Sequence, residues 1–478
     1  MLIPLSEATQ ETCGGKAGTL GMLLRAGFAV PDGFVVPLDA HREALGNGRL
    51  DVAVDGPEGP AHAGPAAPLP AALRDRLTHG LAALGDPPVA VRSSASSEDT
   101  GEASAAGQHE SVLAVQGVDG VAQAVRACWA SLHSPRATAY RRGAAHDEPA
   151  DAGSMAVLVQ RLVDAEISGV VFAPAAPDGV TVIEASWGLG PSVVGGTVTP
   201  DSYRVAADGS VGRTVADKRT RLDRRGTGLT LSDVPADGRI RPTLDDETAR
   251  RLARLGRRVV ALLGGAQDIE WAIARGRTWV VQARPVTAAR PPMPPMPSAT
   301  QGAPSPSTHP SHPARPSPAG PPAPSANRLT GTAGSTGTAT GTARVVRDPS
   351  DFSRVRPGDV LVCPFTDPAW TPLLRIAAGV VTETGGVLSH AAIIARERRI
   401  PAVLGIVGGD RPDPGRQPGH DRRHCRHRHD EHLTRGDDPW GPDICTSLGT
   451  GRPTRSGSSR PRGGGRRTCW ASASHGCP

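Results

Sequence analysis

Aromatic residues make up only 3% of this 478-residue chain, so its cores have to be filled by Val, Leu and Ala rather than by large rings. No apolar run reaches the roughly twenty residues of a membrane-spanning helix, and the segment Met1 to Gln10 lacks the basic start of a secretory leader. A soluble cytoplasmic protein is the expectation, with no membrane partner. Cysteine is sparse and shows no C-x-x-C spacing, which excludes a disulfide framework and a thiolate zinc site. Lysine is almost missing: of 53 basic residues only Lys16 and Lys218 are lysines. Where arginine is so strongly preferred, a retained lysine points to a need for a compact ammonium that a planar guanidinium does not supply.

The net charge of +6 would ordinarily prompt a search for nucleic-acid contacts. From Ile406 to the end, however, 13 arginines stand against 8 acidic residues, so nearly all the excess sits in the last part of the chain. No nucleic-acid partner is expected. What remains is a chain long enough for two to four domains, with 38% apolar residues to build them.

The most specific stretch is Thr382-Glu-Thr-Gly-Gly-Val-Leu-Ser-His390-Ala-Ala-Ile-Ile-Ala-Arg-Glu-Arg-Arg-Ile-Pro-Ala-Val. It follows the strand-like run Ala377 to Val381, and Gly385-Gly386 break the pattern. Ser389 stands where a helix N-cap would, and Ala391 to Arg398 are strong helix formers. His390 therefore falls in a first helical turn, where the positive end of the helix disfavours imidazolium and welcomes an anion on the ring. A neutral imidazole is a nucleophile, and glycines beside it let a bulky phosphate donor approach. A capping or core histidine is the other reading of this residue alone.

Three stretches nearer the amino end suit a polyphosphate. Gly14-Gly-Lys16-Ala-Gly18 reads as a loop before an amphipathic helix, able to hold phosphate through backbone N–H groups and one ammonium. Val89-Ala-Val-Arg92-Ser-Ser reads as a buried strand ending in a guanidinium fork and hydroxyl donors. Asp268-Ile-Glu270 and Gln282-Ala-Arg284 read as two strands of a hairpin turning at Arg275-Gly276, with period-2 alternation putting each pair on one face. Hard oxygen ligands beside a guanidinium suit a triphosphate with Mg2+. A salt-bridged surface hairpin would show the same pattern.

Taken together, these stretches resemble the phosphoenolpyruvate synthase and pyruvate phosphate dikinase family, which includes rifampin phosphotransferase. The resemblance implies a multidomain α/β and α+β protein: an ATP-grasp domain over 1–288, a long disordered Pro/Ser/Ala-rich linker over 289–327, and a small swivelling β/β/α phosphohistidine domain over 328–407. It also implies the residues that do the work. Lys16, Arg92, the loop from Gly107 to Ser111, Gln160, Leu162, Lys218, Glu270, Gln282 and Arg284 would hold ATP, with Mg2+ on Glu270 and Gln282, and His390 would carry the phosphoryl group. Gln160 and Leu162 would lie at the adenine, and Lys218 would make a second basic contact to the nucleotide or to the incoming carrier.

After about Gly408 the language changes to Arg, Gly and His with almost no apolar pattern. His424, Cys425, His427 and His429 resemble a metal cluster in composition only. The abruptness fits translation in a shifted frame, which would leave 408–478 a disordered tail and the carrier domain incomplete. The expected function is an ATP-dependent phosphotransfer of the dikinase type, through phosphohistidine to a small-molecule acceptor such as pyruvate, an antibiotic hydroxyl or a biosynthetic intermediate, with release of AMP and phosphate. Two other classes stay open at this point: an ATP-binding pseudoenzyme or carrier fragment serving a partner protein, and an ATP-grasp ligase that makes ADP and gives His390 no role.

Overall fold

The computed structural model describes residues 1–46, 68–95, 111–132, 154–286 and 328–407, together with the backbone of two strands at 445–449 and 468–473. The expected linker 289–327, Gly107 and the His424 to His429 cluster lie outside the described residues.

The first sheet has the order β1-β2-β5-β3-β4, from β1 (Ile3–Pro4), β2 (Gly33–Val36), β3 (Val89–Ala95), β4 (Ser111–Val115) and β5 (Met155–Arg161). Its strands β3 and β5 are buried without alternation because both faces are covered, and β3 carries Arg92, Ser93 and Ser94 into that buried setting. Val157 and Val159 pack with Leu77 and Trp129 of the helices Ala71–Ala83 and Gly117–Ser131. Ala156 and Leu158, on the other face, pack with Leu20 and Leu23 of the helix Gln10–Arg25. That helix buries Cys13, Ala17 and Leu20, a three-to-four-residue stripe, in the core it shares with the second sheet.

The second sheet is wholly antiparallel and has the order β13-β12-β6-β7-β8-β9. Its strands are β6 (Ile167–Ala173), β7 (Thr181–Trp187), β8 (Asp201–Val205), β9 (Val211–Thr214), β12 (Gln267–Ala274) and β13 (Arg277–Pro285), and a separate hairpin is formed by β10 (Thr220–Arg225) and β11 (Gly228–Asp233). One face packs Val171, Ile183, Tyr203 and Ile269 against Leu252 and Val259 of the helix Asp246–Leu263. Alternation therefore sends Val170, Phe172, Glu184, Ser202, Asp268 and Glu270 to the opposite face.

Residues 328–407 form most of a closed barrel of order β14-β18-β17-β16-β15-β19-β20, comprising β14 (Arg328–Ser335), β15 (Thr338–Val345), β16 (Val360–Cys363), β17 (Gly379–Thr382), β18 (Ala402–Val407), β19 (Cys445–Gly449) and β20 (Thr468–Ala473). The helix His390–Arg398 lies against it, with Ala391, Ile394 and Ala395 packed on Trp370 and Leu374. The Gly/Thr-rich run after Arg328 forms the strands β14 and β15, where close approaches such as Gly341 to Gly358 O, 2.2 Å from a built Cβ, need glycine. One expectation needs correction: the segment 408–478 is not wholly without elements, since β19 pairs with β15 and β20 with β14, closing the barrel where both strands would otherwise leave unpaired backbone edges. Among the described residues no helix is long and apolar enough to cross a membrane.

The helix Asp246–Leu263 begins at Asp245, whose carboxylate accepts from the Thr248 N–H at 2.7 Å. Hydrogen bonding from Thr248, through its hydroxyl first and its N–H second, holds the Asp245 carboxyl below the usual carboxylate range. A depressed carboxyl adds stability above its unfolded pKa and loses it as pH falls through the folded value. Asp245→Ala is expected to cost about 1 kcal/mol at neutral pH, read as a lower urea midpoint. The gap to wild type should narrow as the pH drops below about 4, where the unfolded carboxylate protonates.

Candidate functional site

The helix Gln10–Arg25 is broken at Gly14, where φ is 75°. The Gly14-Gly-Lys16 segment is therefore a kink within a helix, not the preceding loop expected from sequence. A side chain at Gly14 would put its Cβ 2.2 Å from Ser94 O, so the break and β3 fit together only through glycine. Ser94 Oγ repairs it, donating to Cys13 O at 2.7 Å and accepting from Ala17 N at 3.0 Å. Lys16, 5% exposed, donates from Nζ to Ser93 O at 2.9 Å. The break thus delivers an ammonium to the end of β3, beside Arg92.

Arg92 crosses from the first sheet to the second. Its guanidinium donates to Val281 O at 2.6 Å and to Gln282 Oε1, and lies 3.7 Å from a Glu270 carboxylate oxygen. The β12–β13 register places Asp268 opposite Arg284 and Glu270 opposite Gln282, with Arg284 3.9 Å from Asp268 Oδ2. A bulge follows directly after Glu270, and the hairpin turns at Arg275 and Gly276, both at positive φ. Arg92, Glu270 and Gln282 thus form one connected group at the junction of the two sheets, with Arg284 two residues along β13 on the face of Gln282 and Lys16 bonded to the β3 backbone one residue past Arg92.

The oxygen donors fit a hard divalent cation. Asp268 Oδ1 is buried with no hydrogen-bond partner among the described residues, while Glu270 and Gln282 present carboxylate and carboxamide oxygens on the same face. Among the described residues no three His, Cys, Asp or Glu side chains converge. A cation here would need oxygens from elsewhere, such as those of a phosphate.

The other expected ligands are distributed differently. Ser111 begins β4, opposite Arg92 in register. Gln160 is buried and its amide donates to Pro31 O at 3.0 Å, while Leu162 N donates to Pro88 O at 2.9 Å. The Leu162 N–H is thus committed to the fold rather than turned to a base. Lys218 is a correction. It is fully buried, donating to Asp201 Oδ1 at 2.6 Å and to Ala216 O at 2.9 Å. Asp201 is paired with Ala185 in register and shares the alternation of Tyr203 and Val205, so it lies on the face opposite Glu270. The retained ammonium here fills a site closed to solvent, also bounded by Thr243 and Ala216 N–H groups on Asp201.

His390 opens the helix His390–Arg398 with Ser389 at the N-cap, as expected. Ser389 makes no side-chain cap, because its hydroxyl donates to Gly386 O at 2.8 Å. Thr366 Oγ1 lies 2.9 Å from His390 Nδ1. The tautomer with Nδ1–H donating to Thr366 puts the ring's lone pair on Nε2.

The loop before His390 is seated on the second sheet. Glu184 accepts from Val387 N at 2.6 Å through Oε1 and from Leu388 N at 2.9 Å through Oε2. Thr384 Oγ1 donates to Gly196 O at 2.6 Å. Leu388 and Val387 pack with Val170, Phe172, Val193 and Val198. In register, Gln282 lies opposite Glu270, Glu270 opposite Val170, and Val170 opposite Glu184. Residues directly opposite in antiparallel strands share a face, so this is one continuous row. At about 4.8 Å per strand, Glu184 stands about 10 Å from Glu270 along it. The sequence reading missed Glu184 and Thr366. The signal for Glu184 was available, as the lone charge of the strand Thr181–Trp187, and a charge in a buried strand needs a partner.

Residues 62–300 match the family described as "Pyruvate phosphate dikinase, AMP/ATP-binding domain", and residues 355–415 match "PEP-utilising enzyme, mobile domain". A probable phosphoenolpyruvate synthase of Methanothermobacter thermautotrophicus is 33% identical over 420 residues, covering 82% of this chain and 57% of that protein. One from Archaeoglobus fulgidus is 33% identical over 423 residues, covering 82% and 53%. The phosphoenolpyruvate synthase of Aeropyrum pernix is 32% identical over 460 residues, again covering 82% and 53%. The chain spans about half the length of these curated relatives. Among solved structures, the D-alanine-D-alanine ligase from Coxiella burnetii is similar at 12% identity and a TM-score of 0.24, over 58% of this chain and 48% of that one.

Because Lys218 neutralises Asp201 where no water reaches, Lys218→Met strands a buried carboxylate. It is expected to cost about 3–5 kcal/mol of stability, measured by urea unfolding. At temperatures where the variant stays folded, its affinity for a fluorescent ATP analogue should match wild type.

Proposed function

Because the chain belongs to the pyruvate phosphate dikinase AMP/ATP-binding family, we propose that it takes the β-phosphoryl group of ATP onto His390, with AMP and orthophosphate released, and passes it to a small-molecule acceptor. The observation that carries this reading is the shared row: the loop bearing His390 sits on the same sheet face that presents Glu270 and Gln282. Phosphoryl transfer asks a protein mainly to position the reactants and to neutralise charge. Arg92 would bind phosphate oxygens from the first sheet, Lys16 from the helix packed on it, and Arg284 from the second sheet. Glu270 and Gln282 would hold Mg2+, which, when bound, supplies charge neutralisation along the triphosphate. Arg92 already spans the two sheets, so an entering triphosphate would exchange with contacts that the guanidinium makes to protein oxygens.

His390 Nε2 would form the new N–P bond at the β-phosphorus as that phosphorus parts from the AMP oxygen, and one water would take up the γ-phosphoryl group as orthophosphate. Thr366 holds the ring from the Nδ1 side, and the tautomer with the proton on Nδ1 is the one that leaves Nε2 free to attack. The helix start disfavours the imidazolium and favours the phosphorylated ring.

Incubation with β-labelled ATP is expected to label the protein, in a bond stable to base and labile to acid, with AMP as the nucleotide product. His390→Ala should abolish the label, and Arg92→Ala or Glu270→Ala should slow its appearance at least about a hundredfold. No label on wild type, a label that survives His390→Ala, or ADP as the product would reject the proposal.

A further inference from the structure

Glu184 touches neither the expected triphosphate ligands nor His390 in any bond described above, yet it is 2% exposed and spends both carboxylate oxygens on the loop that leads into His390. Its partners are backbone N–H groups of the other folded unit, more than two hundred residues away in sequence. The fit is also steric. A Cβ built on Gly386 would lie 2.3–2.5 Å from the Glu184 carboxyl atoms, which are its three nearest neighbours. The carboxylate therefore occupies the space that any side chain at 386 would take. On the other flank, a Cβ on Gly196 would lie 3.2 Å from Ser389 Cβ, so both surfaces are cut to glycine where they meet.

We propose that Glu184 is a positioning residue for His390: its carboxylate is the seat on which the Gly385–Ser389 loop docks, and it sets how much of the time His390 is presented to the nucleotide. The inference rests on the phosphotransfer reading above, and it adds a direction. Before transfer the seat is a carboxylate facing two N–H donors beside a neutral ring. After transfer the helix start that directly follows this loop carries a phosphoryl dianion, whose charge opposes that of Glu184. The seat thus favours arrival of the unphosphorylated carrier and departure of the phosphorylated one. Both docked and undocked states leave the groups satisfied, since water replaces the two amide bonds when the loop lifts.

Glu184→Gln keeps the shape but loses the match, because its carboxamide can accept from one N–H and must oppose the other with its NH2. Gly386→Ala leaves Glu184 intact and fills the seat. Three readouts on the full-length protein separate positioning from binding and from stability: affinity for a fluorescent ATP analogue, the first-order rate of labelling by β-labelled ATP at saturation, and hydrogen exchange of the peptide holding Val387 and Leu388. Both variants are expected to bind the analogue within about twofold of wild type, to label at least about tenfold more slowly, and to exchange the 387–388 amides faster. Phosphorylating wild type should also speed that exchange. Labelling rates and exchange unchanged in both variants would overturn the proposal. So would slow labelling that follows wholly from lost nucleotide affinity. If wild type takes no label, the phosphotransfer reading fails on its own, and the exchange data still decide whether Glu184 seats the loop. If Glu184→Gln unfolds, Gly386→Ala, outside the strand, decides.

Discussion

Directly opposed residues of antiparallel strands must share a face, and that constraint organises this protein's chemistry. Three register pairs carry a line across the second sheet from Gln282 through Glu270 and Val170 to Glu184. At one end stand oxygens suited to a hard cation; at the other stands the carboxylate that grips the histidine loop. No loop has to be placed to bring the two together, since the strand pairing of the sheet itself fixes their spacing. The bulge after Glu270 shifts the register only beyond it, so the row is unbroken where it matters. A site set on paired strands in this way is more rigid than one assembled from loops.

Much of this was legible in the sequence. The period-2 spacing of Asp268 with Glu270, and of Gln282 with Arg284, is a local property, and the hairpin reproduces it with Asp268 facing Arg284 and Glu270 facing Gln282. The helix start at His390 was equally local: two glycines, a serine and a run of helix formers. Non-local matters were not legible. Nothing in Gly14-Gly-Lys says that Ser94 will cap a broken helix, because the capping residue lies about eighty positions away and the helix interrupts itself to meet it. Lys218 shows the limit most sharply. Its rarity singled it out in the sequence, but rarity does not say on which face of a sheet a lysine is used, and the structure puts it behind the sheet on Asp201. The two strands in the Arg-rich tail were missed for a related reason, since backbone pairing to an open edge asks little of side-chain pattern.

The contrast between two acidic residues on neighbouring strands shows how one sheet can be both scaffold and landing site. Asp201 and Glu184 are each almost wholly buried, and each is satisfied by several donors. Asp201 takes its donors from the same folded unit, Lys218 among them, on the face packed against the core. Water cannot replace those partners without opening the domain, so the pair is permanent and its loss is a stability effect. Glu184 takes two of its donors from another unit, on the outward face, beside a small apolar contact formed by Leu388, Val170, Val193 and Val198. When that unit leaves, water reaches the carboxylate and both amides at once, and each hydrogen bond is exchanged rather than broken. Small, polar contacts between domains are the ones that come apart and re-form. Burial alone would rank the two carboxylates together; what separates them is whether the partner can leave, and only Glu184 stands in the row with Glu270 and Gln282, where a carrier has to arrive and depart.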